Sequence, residues 1–384
     1  MEKVDIVCFS DIFWDFVWQR HQNLLTRFPK NWNIVFIEPT SLVVLLKEPR
    51  RILSRKKDNI TIVSLPALPL VDKVSFLRSF NDYFILGWLK SMFILKGIRK
   101  PVLLYYAPRF SSLIGKLGER LVAYDCADDR MAFSRVPRWM KQYVEDLFIK
   151  SDVVFVTSES LREKALEFRK NNVYLIGNGV DAELFKKASG DVPIPDEMKE
   201  LKKPIIGYFG VIDEWMDVDL IVEIAAAYPY ASIVLLGPVL IGAEGLQKLK
   251  CRPNIFLPGQ RPHEALPRYL KAFDVCIIPF KINELTKSVN PVKLYEYLAG
   301  GKNVVSITMT EVEKYGEVVY VARGHDDFIK KTAEALKNKP NIDSIEAVVG
   351  ENTWDAKAKD MVNILEVLVE IDKNTSIEEI QVEN

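Results

Sequence analysis

The sequence has few of the features that mark secreted or membrane-spanning proteins. Its four cysteines are scattered along 384 residues without a Cys-x-x-Cys pair, so neither a disulfide framework nor a cysteine-based metal site is expected. The longest apolar stretch, residues 83–95, is interrupted by Lys90 and is too short to span a bilayer. No signal-peptide core follows Met1. We therefore expect a cytoplasmic protein in a reducing compartment.

The chain also lacks an excess of either charge and has little histidine. Basic and acidic residues number 52 each, so the overall charge gives no indication of nucleic-acid binding. Of the three histidines, His263 and His325 lie at expected helix starts without a ligand-like partner nearby in sequence. No group of histidines and cysteines has metal-ligand spacing. We expect neither a metal ion nor a cofactor.

What the sequence does contain is a regular alternation of short β-branched segments and amphipathic helical segments. This pattern is typical of parallel sheets covered by helices, and the length exceeds what one core usually organises. Two series of strands are separated by a segment rich in Asp, Glu, Lys and Pro. The expected divisions are an N-terminal domain over residues 1–182, a linker over 183–203, a C-terminal domain over 204–350, a final helix over 351–373 and a frayed polar tail over 374–384.

These divisions predict an α/β protein with two Rossmann-like, doubly wound domains. Such sheets bind ligands at the carboxyl ends of their strands. Two domains whose carboxyl ends face a central cleft would enclose two substrates and exclude water, which competes as an acceptor in group transfer.

The segment Asn290–Ser306 carries the strongest functional signal. A helix is predicted to begin near Pro291, and the unpaired N–H groups of a helix N-terminus attract anions. Lys293 in the first turn adds a full positive charge. Glu296, one turn further along the same face, can accept hydrogen bonds from a ribose diol. An anion site with a carboxylate one turn deeper suits a nucleoside diphosphate.

This segment resembles the nucleotide-sugar signature of the group 1 glycosyltransferases, which have the GT-B fold. The resemblance extends over most of the chain: Asn178–Asp181 is similar to the family's hinge turn, Gly207–Gly210 to the strand that opens its second domain, and the helix containing Trp354 to its crossover helix. It implies a nucleotide diphosphate sugar as substrate, bound by the C-terminal half, and no catalytic metal. The residues expected to bind the sugar donor are Glu296, Lys293, Asn290, Pro291, Val292, Ser288, Val289, Gly210 and Arg261.

The sequence departs from the family's pattern around the expected diphosphate. Members usually carry two glutamates in the signature, and Ser288 stands at the first of these positions. Val211 and Met216 stand where many members have an Arg and a Lys. Asp217 and Asp219 form an Asp-x-Asp pair that superficially resembles the metal motif of another glycosyltransferase fold, but capping of a helix N-terminus is the preferred interpretation.

Candidate catalytic residues and acceptor-binding residues lie in the first domain. Asp128 follows the fifth predicted strand, where the family often has a histidine that contacts the transferred sugar. A carboxylate there could stabilise positive charge on the sugar or bind its hydroxyls, and loop capping is the alternative. His21 is the second catalytic candidate. Asp11, Trp14 and Trp18 are candidates for acceptor binding through an aromatic loop, with a packed aromatic cluster as the alternative.

A locally basic segment extends from Leu42 to Lys100. It holds twelve Lys and Arg against four Asp and Glu, a net charge of +8 in a chain whose total is zero. These residues flank stretches rich in Leu, Phe and Ile, a combination that favours an anionic membrane interface. A core helix with a solvated basic face is the alternative. We expect peripheral contact with a membrane and a lipid-linked acceptor.

The resemblance thus implies a glycosyltransferase that moves a sugar, with retention of configuration, from a nucleotide diphosphate sugar to a hydroxyl acceptor such as a lipid-linked or growing surface polysaccharide. The leaving phosphate would help to deprotonate the acceptor, so no separate base is needed. Two alternatives remain open. One is a nucleotide-sugar 2-epimerase on the same double fold, and the other is a non-catalytic nucleotide-binding scaffold of a polysaccharide assembly complex.

Overall fold

A computed structural model describes residues 3–52, 54–68 and 75–382. These residues form two compact units. The N-terminal domain comprises the residues up to Thr157, Leu161–Ile176 and the residues from Lys357 onward, and the C-terminal domain comprises Ser158–Ser160 and Gly177–Ala356. Each domain has one mainly parallel sheet and its own core of buried apolar side chains.

The sheet of the N-terminal domain has eight strands. They are β1 (Asp5–Phe9), β2 (Asn33–Ser41), β3 (Arg55–Lys57), β4 (Ile60–Ala67), β5 (Val102–Tyr105), β6 (Leu121–Cys126), β7 (Val153–Val156) and β8 (Val173–Leu175). Their order in the sheet is β3-β4-β2-β1-β5-β6-β7-β8, and only the β3–β4 pair is antiparallel among these strands. The central strands β1 and β5 consist mainly of apolar residues, and nearly all of these residues are buried, as expected for strands covered on both faces.

The sheet of the C-terminal domain has six strands, and every neighbouring pair is parallel. They are β9 (Ile205–Phe209), β10 (Ser232–Leu236), β11 (Ile255–Phe256), β12 (Val275–Ile278), β13 (Val304–Ile307) and β14 (Val319–Ala322). Their order is β11-β10-β9-β12-β13-β14. This is the strand order of a doubly wound Rossmann sheet, so the predicted fold class is confirmed.

The helices connect these strands. They are α1 (Arg20–Leu25), α2 (Leu42–Lys47), α3 (Ser75–Lys96), α4 (Met140–Lys150), α5 (Glu159–Leu166), α6 (Ala182–Lys186), α7 (Asp196–Lys199), α8 (Val218–Ala227), α9 (Ala243–Lys250), α10 (Leu266–Ala272), α11 (Glu284–Lys287), α12 (Val292–Ala299), α13 (Thr310–Glu313), α14 (His325–Lys337), α15 (Ile342–Glu351) and α16 (Trp354–Val382). Short 3₁₀ turns are present at Pro49–Ile52, Pro108–Leu113, Arg130–Ala132, Lys187–Ser189 and His263–Ala265.

Three features differ from the sequence predictions. Residues 183–203 do not form an open linker, because they contribute short helices whose Phe185 and Met198 are buried in the C-terminal core. Strand β3 was not predicted, since Arg-Lys-Lys carries no apolar signal on an exposed edge. The predicted frayed tail differs as well, because α16 continues through it to Val382. Residues 383 and 384 lie outside the described residues.

The scattered cysteines behave as small apolar side chains. Cys8, Cys126 and Cys276 are free and buried in strands, while Cys251 is free and exposed. Burial in the strand interior raises the pKa of the Cys126 thiol to about 12, and burial likewise raises the pKa of Cys8 and Cys276. Buried, protonated thiols are poor nucleophiles and poor metal ligands. These three cysteines therefore have a packing role.

Candidate functional site

The strand order of the C-terminal sheet reverses between β9 and β12, which are neighbours in the sheet. Ligands of doubly wound sheets bind outside the carboxyl ends of the strands at such a reversal. Gly210 directly follows β9, and α12 follows the short helix α11 after β12. The topology therefore brings the Gly210 turn and the start of α12 to one crevice.

Helix α12 presents its first turn to this crevice and packs its other face on the domain core. Pro291 takes the N-cap position because its backbone is extended, so the helix begins at Val292, one residue after the predicted start. Leu294 and Leu298 are fully buried. The first N–H groups of an α-helix have no partner within the helix, so this end carries a partial positive charge.

Lys293 lies against the turn that follows β9. Gly210 has a φ of +140°, a region in which glycine is favoured, and a Cβ added there would come within 1.9 Å of Lys293 Cε. The Lys293 ammonium lies 5.7 Å from the centre of the Tyr208 ring, a cation–π arrangement. The missing Gly210 side chain thus makes room for Lys293, whose charge joins that of the helix end.

Hydrogen bonds fix both sides of the crevice. The buried Tyr297 hydroxyl on α12 accepts from the backbone N–H of Phe209 at 2.9 Å, which ties the helix to the end of β9. The Asn178 side-chain amide donates to the Asn290 carbonyl at 2.6 Å, just before the helix. The position of α12 is therefore set by two polar contacts in addition to its apolar face.

The turn Asn178–Asp181 has the structural role that its sequence suggests. Asp181 caps α6 by accepting from the Leu184 N–H at 3.1 Å. Gly179 approaches the backbone that precedes α16 so closely that a Cβ would lie 2.8 Å from the Trp354 nitrogen. Only glycine fits this approach, and the segment stabilises the crevice through the Asn178 contact.

Glu296 lies one turn beyond Lys293 and is 7% exposed. Its Oε1 is 3.3 Å from Nε2 of His263, which opens the 3₁₀ turn His263–Ala265. Sequence reasoning missed this histidine, because it lies 33 residues from Glu296 and has no local partner. Burial alone would lower the pKa of His263, but its hydrogen bond to the Glu296 carboxylate and the charges of Glu296, Glu264 and Asp181 raise it overall.

The other residues predicted to bind the sugar donor have side chains that mostly pack within the protein. Ser288 is buried and its hydroxyl donates to the Leu285 carbonyl at 2.9 Å. Val289 packs against the core, Val292 is half-buried, and Asn290 is buried. The loop Ser288–Val292 thus leads into the helix with its side chains largely packed, so its backbone is the part suited to contact a diphosphate.

The Arg261 guanidinium already forms hydrogen bonds with other groups of the protein. Its guanidinium donates to both oxygens of Glu197 at 2.9 and 3.1 Å, to the Tyr269 hydroxyl at 2.7 Å and to two backbone carbonyls. A diphosphate could recruit this side chain only by displacing Glu197. The geometry favours a packing role for Arg261 and leaves Lys293 as the cation at the crevice.

Met216, one of the two residues that replace the family's expected cations, is apolar for a structural reason. Met216 is 1% exposed, and its backbone forms a β-bridge with Phe280. Asp217 caps α8 by accepting from the Leu220 N–H at 3.0 Å, and Asp219 forms an ion pair with Lys248 at 2.8 Å. The capping interpretation of the Asp-x-Asp pair is confirmed for Asp217.

In the N-terminal domain, two of the predicted site residues are part of the packed interior. Trp14 is 2% exposed and packs edge-on against Trp18 and Phe36, so it cannot stack on an acceptor. His21 is buried with its ring 3.8 Å from that of Tyr106. Burial and the neighbouring Arg20 charge lower the pKa of His21 to about 3. This histidine is therefore neutral near pH 7 and does not suit acid catalysis there.

The other N-terminal candidates are accessible. Trp18 is half-buried, and its indole N–H donates to the Asn23 side chain at 3.0 Å. The Lys57 ammonium lies over the face of the Trp18 ring. Asp11 pairs with Arg130 and lies 3.8 Å from His21. Both residues lie near the carboxyl edge of the sheet, since they follow β1.

Asp128 is exposed in the loop that follows β6. Its neighbour Asp129 caps the turn Arg130–Ala132 and pairs with Lys164 at 2.8 Å. The buried carboxylate of this segment is Asp125, which accepts from Arg20 Nε at 3.1 and 2.8 Å. Capping thus accounts for Asp129, and Asp128 remains the carboxylate that a ligand could reach.

No family model matches the sequence. The proposed teichuronic acid biosynthesis glycosyltransferase TuaH of Bacillus subtilis (strain 168) is 28% identical over 249 residues, which cover 60% of this chain and 62% of TuaH. The match therefore spans less than two thirds of the length of this curated relative.

Solved structures match over a larger part of the chain. The sucrose-phosphate synthase of Thermosynechococcus elongatus has a TM-score of 0.74 at 15% identity and covers 96% of this chain and 100% of its own. Anabaena HepE in complex with UDP and glucose has a TM-score of 0.69 at 13% identity and covers 94% and 99%. This chain has the GT-B fold. The resemblance inferred from the sequence is confirmed at the level of the fold.

The exposed side of helix α3 in this GT-B chain carries apolar residues of the predicted basic segment, and α2 exposes another. Tyr83, Ile94 and Leu95 on α3 are 76%, 81% and 86% exposed, and Leu46 on α2 is 82% exposed. Tyr83 and Ile94 are eleven residues apart, about three helical turns, and therefore share a face. Among the described helices, none is both long and apolar enough to cross a membrane.

Some residues of the predicted basic segment do not belong to this surface. Arg55 pairs with Asp15 and with the buried Glu38, and Arg78 lies 4.4 Å from the Trp139 ring. Residues 53 and 69–74 of the segment lie outside the described residues. Among the residues of the segment whose exposure is described, the exposed cations are Lys47, Arg50, Lys56, Lys57, Lys90, Lys96, Arg99 and Lys100.

Proposed function

We propose that this protein is a glycosyltransferase that takes its sugar from a nucleoside diphosphate sugar bound in the crevice between β9 and α12. The observation that carries the proposal is the position of Lys293 against Gly210 at the start of α12, with the carboxylate of Glu296 one turn deeper. The helix end and the ammonium would bind the diphosphate, and Glu296 would accept hydrogen bonds from the ribose hydroxyls.

The proposed reaction breaks the bond between the sugar C1 and the diphosphate oxygen and forms a bond between C1 and an acceptor hydroxyl oxygen. The hydroxyl proton passes to the leaving phosphate. Lys293 and the helix end stabilise the negative charge that develops on the leaving group. Because the phosphate accepts the proton, the residues of the site need only position the reactants and stabilise this charge.

The acceptor that we propose is a saccharide hydroxyl, with transfer that retains the anomeric configuration. Retention is what the resemblance to the group 1 family implies. The assignment of TuaH by name to teichuronic acid biosynthesis supports a surface polysaccharide as the context, and the UDP and glucose bound by HepE support a nucleotide sugar as the substrate.

Nucleotide binding followed by turnover tests the proposal. Isothermal titration calorimetry with UDP, GDP and ADP should show micromolar binding of at least one nucleotide, weakened about ten-fold or more by Lys293→Ala and by Glu296→Ala. Lys287→Ala, an exposed lysine that pairs with Glu284 on α11, is the matched control and should leave affinity unchanged. Absence of binding by every nucleotide would refute the proposal.

Product analysis then separates the remaining activities. Incubation with nucleotide sugars and saccharide acceptors should yield a glycosylated acceptor and the free nucleoside diphosphate. Release of an epimerised sugar without an acceptor would instead identify an epimerase. Binding without turnover across acceptors would favour a scaffold, for which the apolar Val211 and Met216 at the family's cation positions are the supporting observation.

We further propose that the N-terminal domain docks on an anionic lipid surface and that the acceptor is lipid-linked. The docking surface is the exposed face of α3 formed by Phe80, Tyr83, Phe84, Ile94 and Leu95, and Leu46 of α2 is a further exposed apolar residue of the same segment. The nearby lysines and arginines favour anionic headgroups, at about 1 kcal/mol for each basic residue near the surface. The exposed apolar side chains would enter the acyl boundary.

Flotation with vesicles that contain phosphatidylglycerol tests this docking. We expect binding that weakens as salt increases and that Ile94→Ser with Leu95→Ser reduces strongly. Vesicles of phosphatidylcholine alone are the control and should bind weakly. Salt-independent or absent binding, or a dimer in solution that the same double variant dissociates, would contradict docking on lipid.

A further inference from the structure

His263 lies where it can control the conformation of Glu296. Its Nε2 is 3.3 Å from Glu296 Oε1, and the two side chains are 17% and 10% exposed. The His263 ring also packs edge-on against Phe185, with ring centres 5.5 Å apart. Phe185 stacks in turn on Phe209 at the end of β9. The imidazole is therefore held from one side by apolar packing and faces the carboxylate from the other.

A glutamate side chain has three rotatable bonds, and without a partner that fixes its carboxylate it can occupy several rotamers. A hydrogen bond to one oxygen selects a single orientation and leaves the other oxygen to face a ligand. Among the described residues, the side chain that forms a hydrogen bond with Glu296 is His263.

We infer that His263 is a positioning residue that holds the Glu296 carboxylate in the orientation that binds the ribose diol of the sugar donor. The inference rests on the proposed function, because it assigns the ribose to Glu296. His263 acts through Glu296 and does not itself touch the reacting atoms.

The charges that face His263 give the interaction a pH dependence. They come from Glu296 on α12, from Glu264 on its own turn and from Asp181 at the start of α6. Together they favour the imidazolium, which donates to Glu296 with full charge at low pH. As the pH rises through the raised pKa of His263, the charge is lost and the orienting hydrogen bond weakens. Selectivity for ribose should therefore decline with increasing pH.

The test compares the affinities for UDP and 2′-deoxyuridine diphosphate, because their ratio reports recognition of the 2′-hydroxyl and cancels changes in phosphate binding. Calorimetry on the full-length protein should give a ratio of about ten or more for the unchanged chain and about one for Glu296→Ala. His263→Phe keeps an aromatic ring against Phe185 but removes the hydrogen bond, so its ratio should fall to about two.

Two further variants separate positioning from folding. His263→Gln supplies an amide N–H and should recover most of the ratio at pH 7 without its dependence on pH. His325→Gln changes the other histidine of the C-terminal domain, which contacts Asp217 and Glu223 at 3.0 and 2.9 Å, and should keep the ratio and its pH dependence.

The possible failures are distinguishable. If the unchanged chain binds no nucleoside diphosphate, the proposed function fails and the inference with it. If it binds UDP with selectivity for ribose but His263→Phe keeps the full ratio, or weakens both nucleotides equally, then His263 has only a packing role and the inference alone is overturned.

Discussion

Substitution of Gly210 by alanine tests the arrangement on which the proposed function depends. The added methyl group would lie 1.9 Å from Lys293 Cε and 2.7 Å from its ammonium, so the lysine side chain must move away from the turn after β9. In addition, the backbone at φ +140° is unfavourable for alanine, at a cost of about 1–3 kcal/mol. The change therefore affects both the stability of the C-terminal domain and the position of its ammonium group.

The magnitude of the effect on binding follows from the charge that is displaced. A hydrogen bond to a charged group contributes about 1.5–3 kcal/mol, and each 1.4 kcal/mol is about a ten-fold change in affinity. We expect Gly210→Ala to weaken the binding of UDP ten-fold to a hundred-fold, as Lys293→Ala does. Because both changes remove the same interaction, Gly210→Ala should weaken binding little further in a chain that already carries Lys293→Ala.

Isothermal titration calorimetry of the two single variants and the double variant measures this coupling. Gly350→Ala is the control, because that glycine lies in α15 with open space around it and alanine should leave binding unchanged. Fully additive losses in the double variant, or unchanged affinity in Gly210→Ala, would show that Gly210 does not make room for Lys293 at the nucleotide site.

Four other predictions follow from the structure. Asp125→Ala leaves the buried Arg20 guanidinium without its carboxylate and should lower the free energy of unfolding by about 3–5 kcal/mol in urea titrations, whereas an unchanged midpoint would contradict the buried pair. Tyr297→Phe removes the partner of the buried Phe209 N–H and should lower the free energy of unfolding of the C-terminal domain by about 1–3 kcal/mol in thermal denaturation. An unchanged free energy would show that water replaces the hydroxyl. His21 has a pKa of about 3 when folded and a value near 6.5 when unfolded, so the unfolded chain gains a proton first and stability is lost as the pH falls from 6.5 towards 3. His21→Phe should reduce that slope by up to about 1.4 kcal/mol per pH unit, and an identical pH profile would refute the assignment. Finally, because Lys293 and the helix end supply the positive charge, EDTA should leave sugar transfer unchanged, and a loss restored by Mg²⁺ would contradict this.

The fold could be predicted because its signals are local in sequence. Strand β9 is an uninterrupted apolar segment, as expected for a central strand of a parallel sheet with both faces buried, and the same holds for β12. Strand β3 could not be predicted, because an exposed edge strand needs no apolar side chains. Phe185 and Met198 lie in a segment rich in Asp, Glu, Lys and Pro, so their burial is not evident from composition.

The site was predictable only in part, because only some of its contacts join residues that are close in sequence. Lys293 and Glu296 are three residues apart on one helix, so their shared face follows from helical geometry alone. His263 reaches Glu296 only after α10, α11 and β12 have folded between them. The aromatic loop near Trp14 has a composition that suits both sugar stacking and core packing, and only the sheet beneath it, through Phe36, decides in favour of packing.

A crystal structure of this protein with a bound nucleoside diphosphate tests the central claim most directly. We expect the diphosphate at the first turn of α12, within hydrogen-bonding distance of Lys293 Nζ, and a ribose hydroxyl within hydrogen-bonding distance of Glu296. A nucleotide bound elsewhere, or bound here with Lys293 and Glu296 turned towards solvent, would contradict the account.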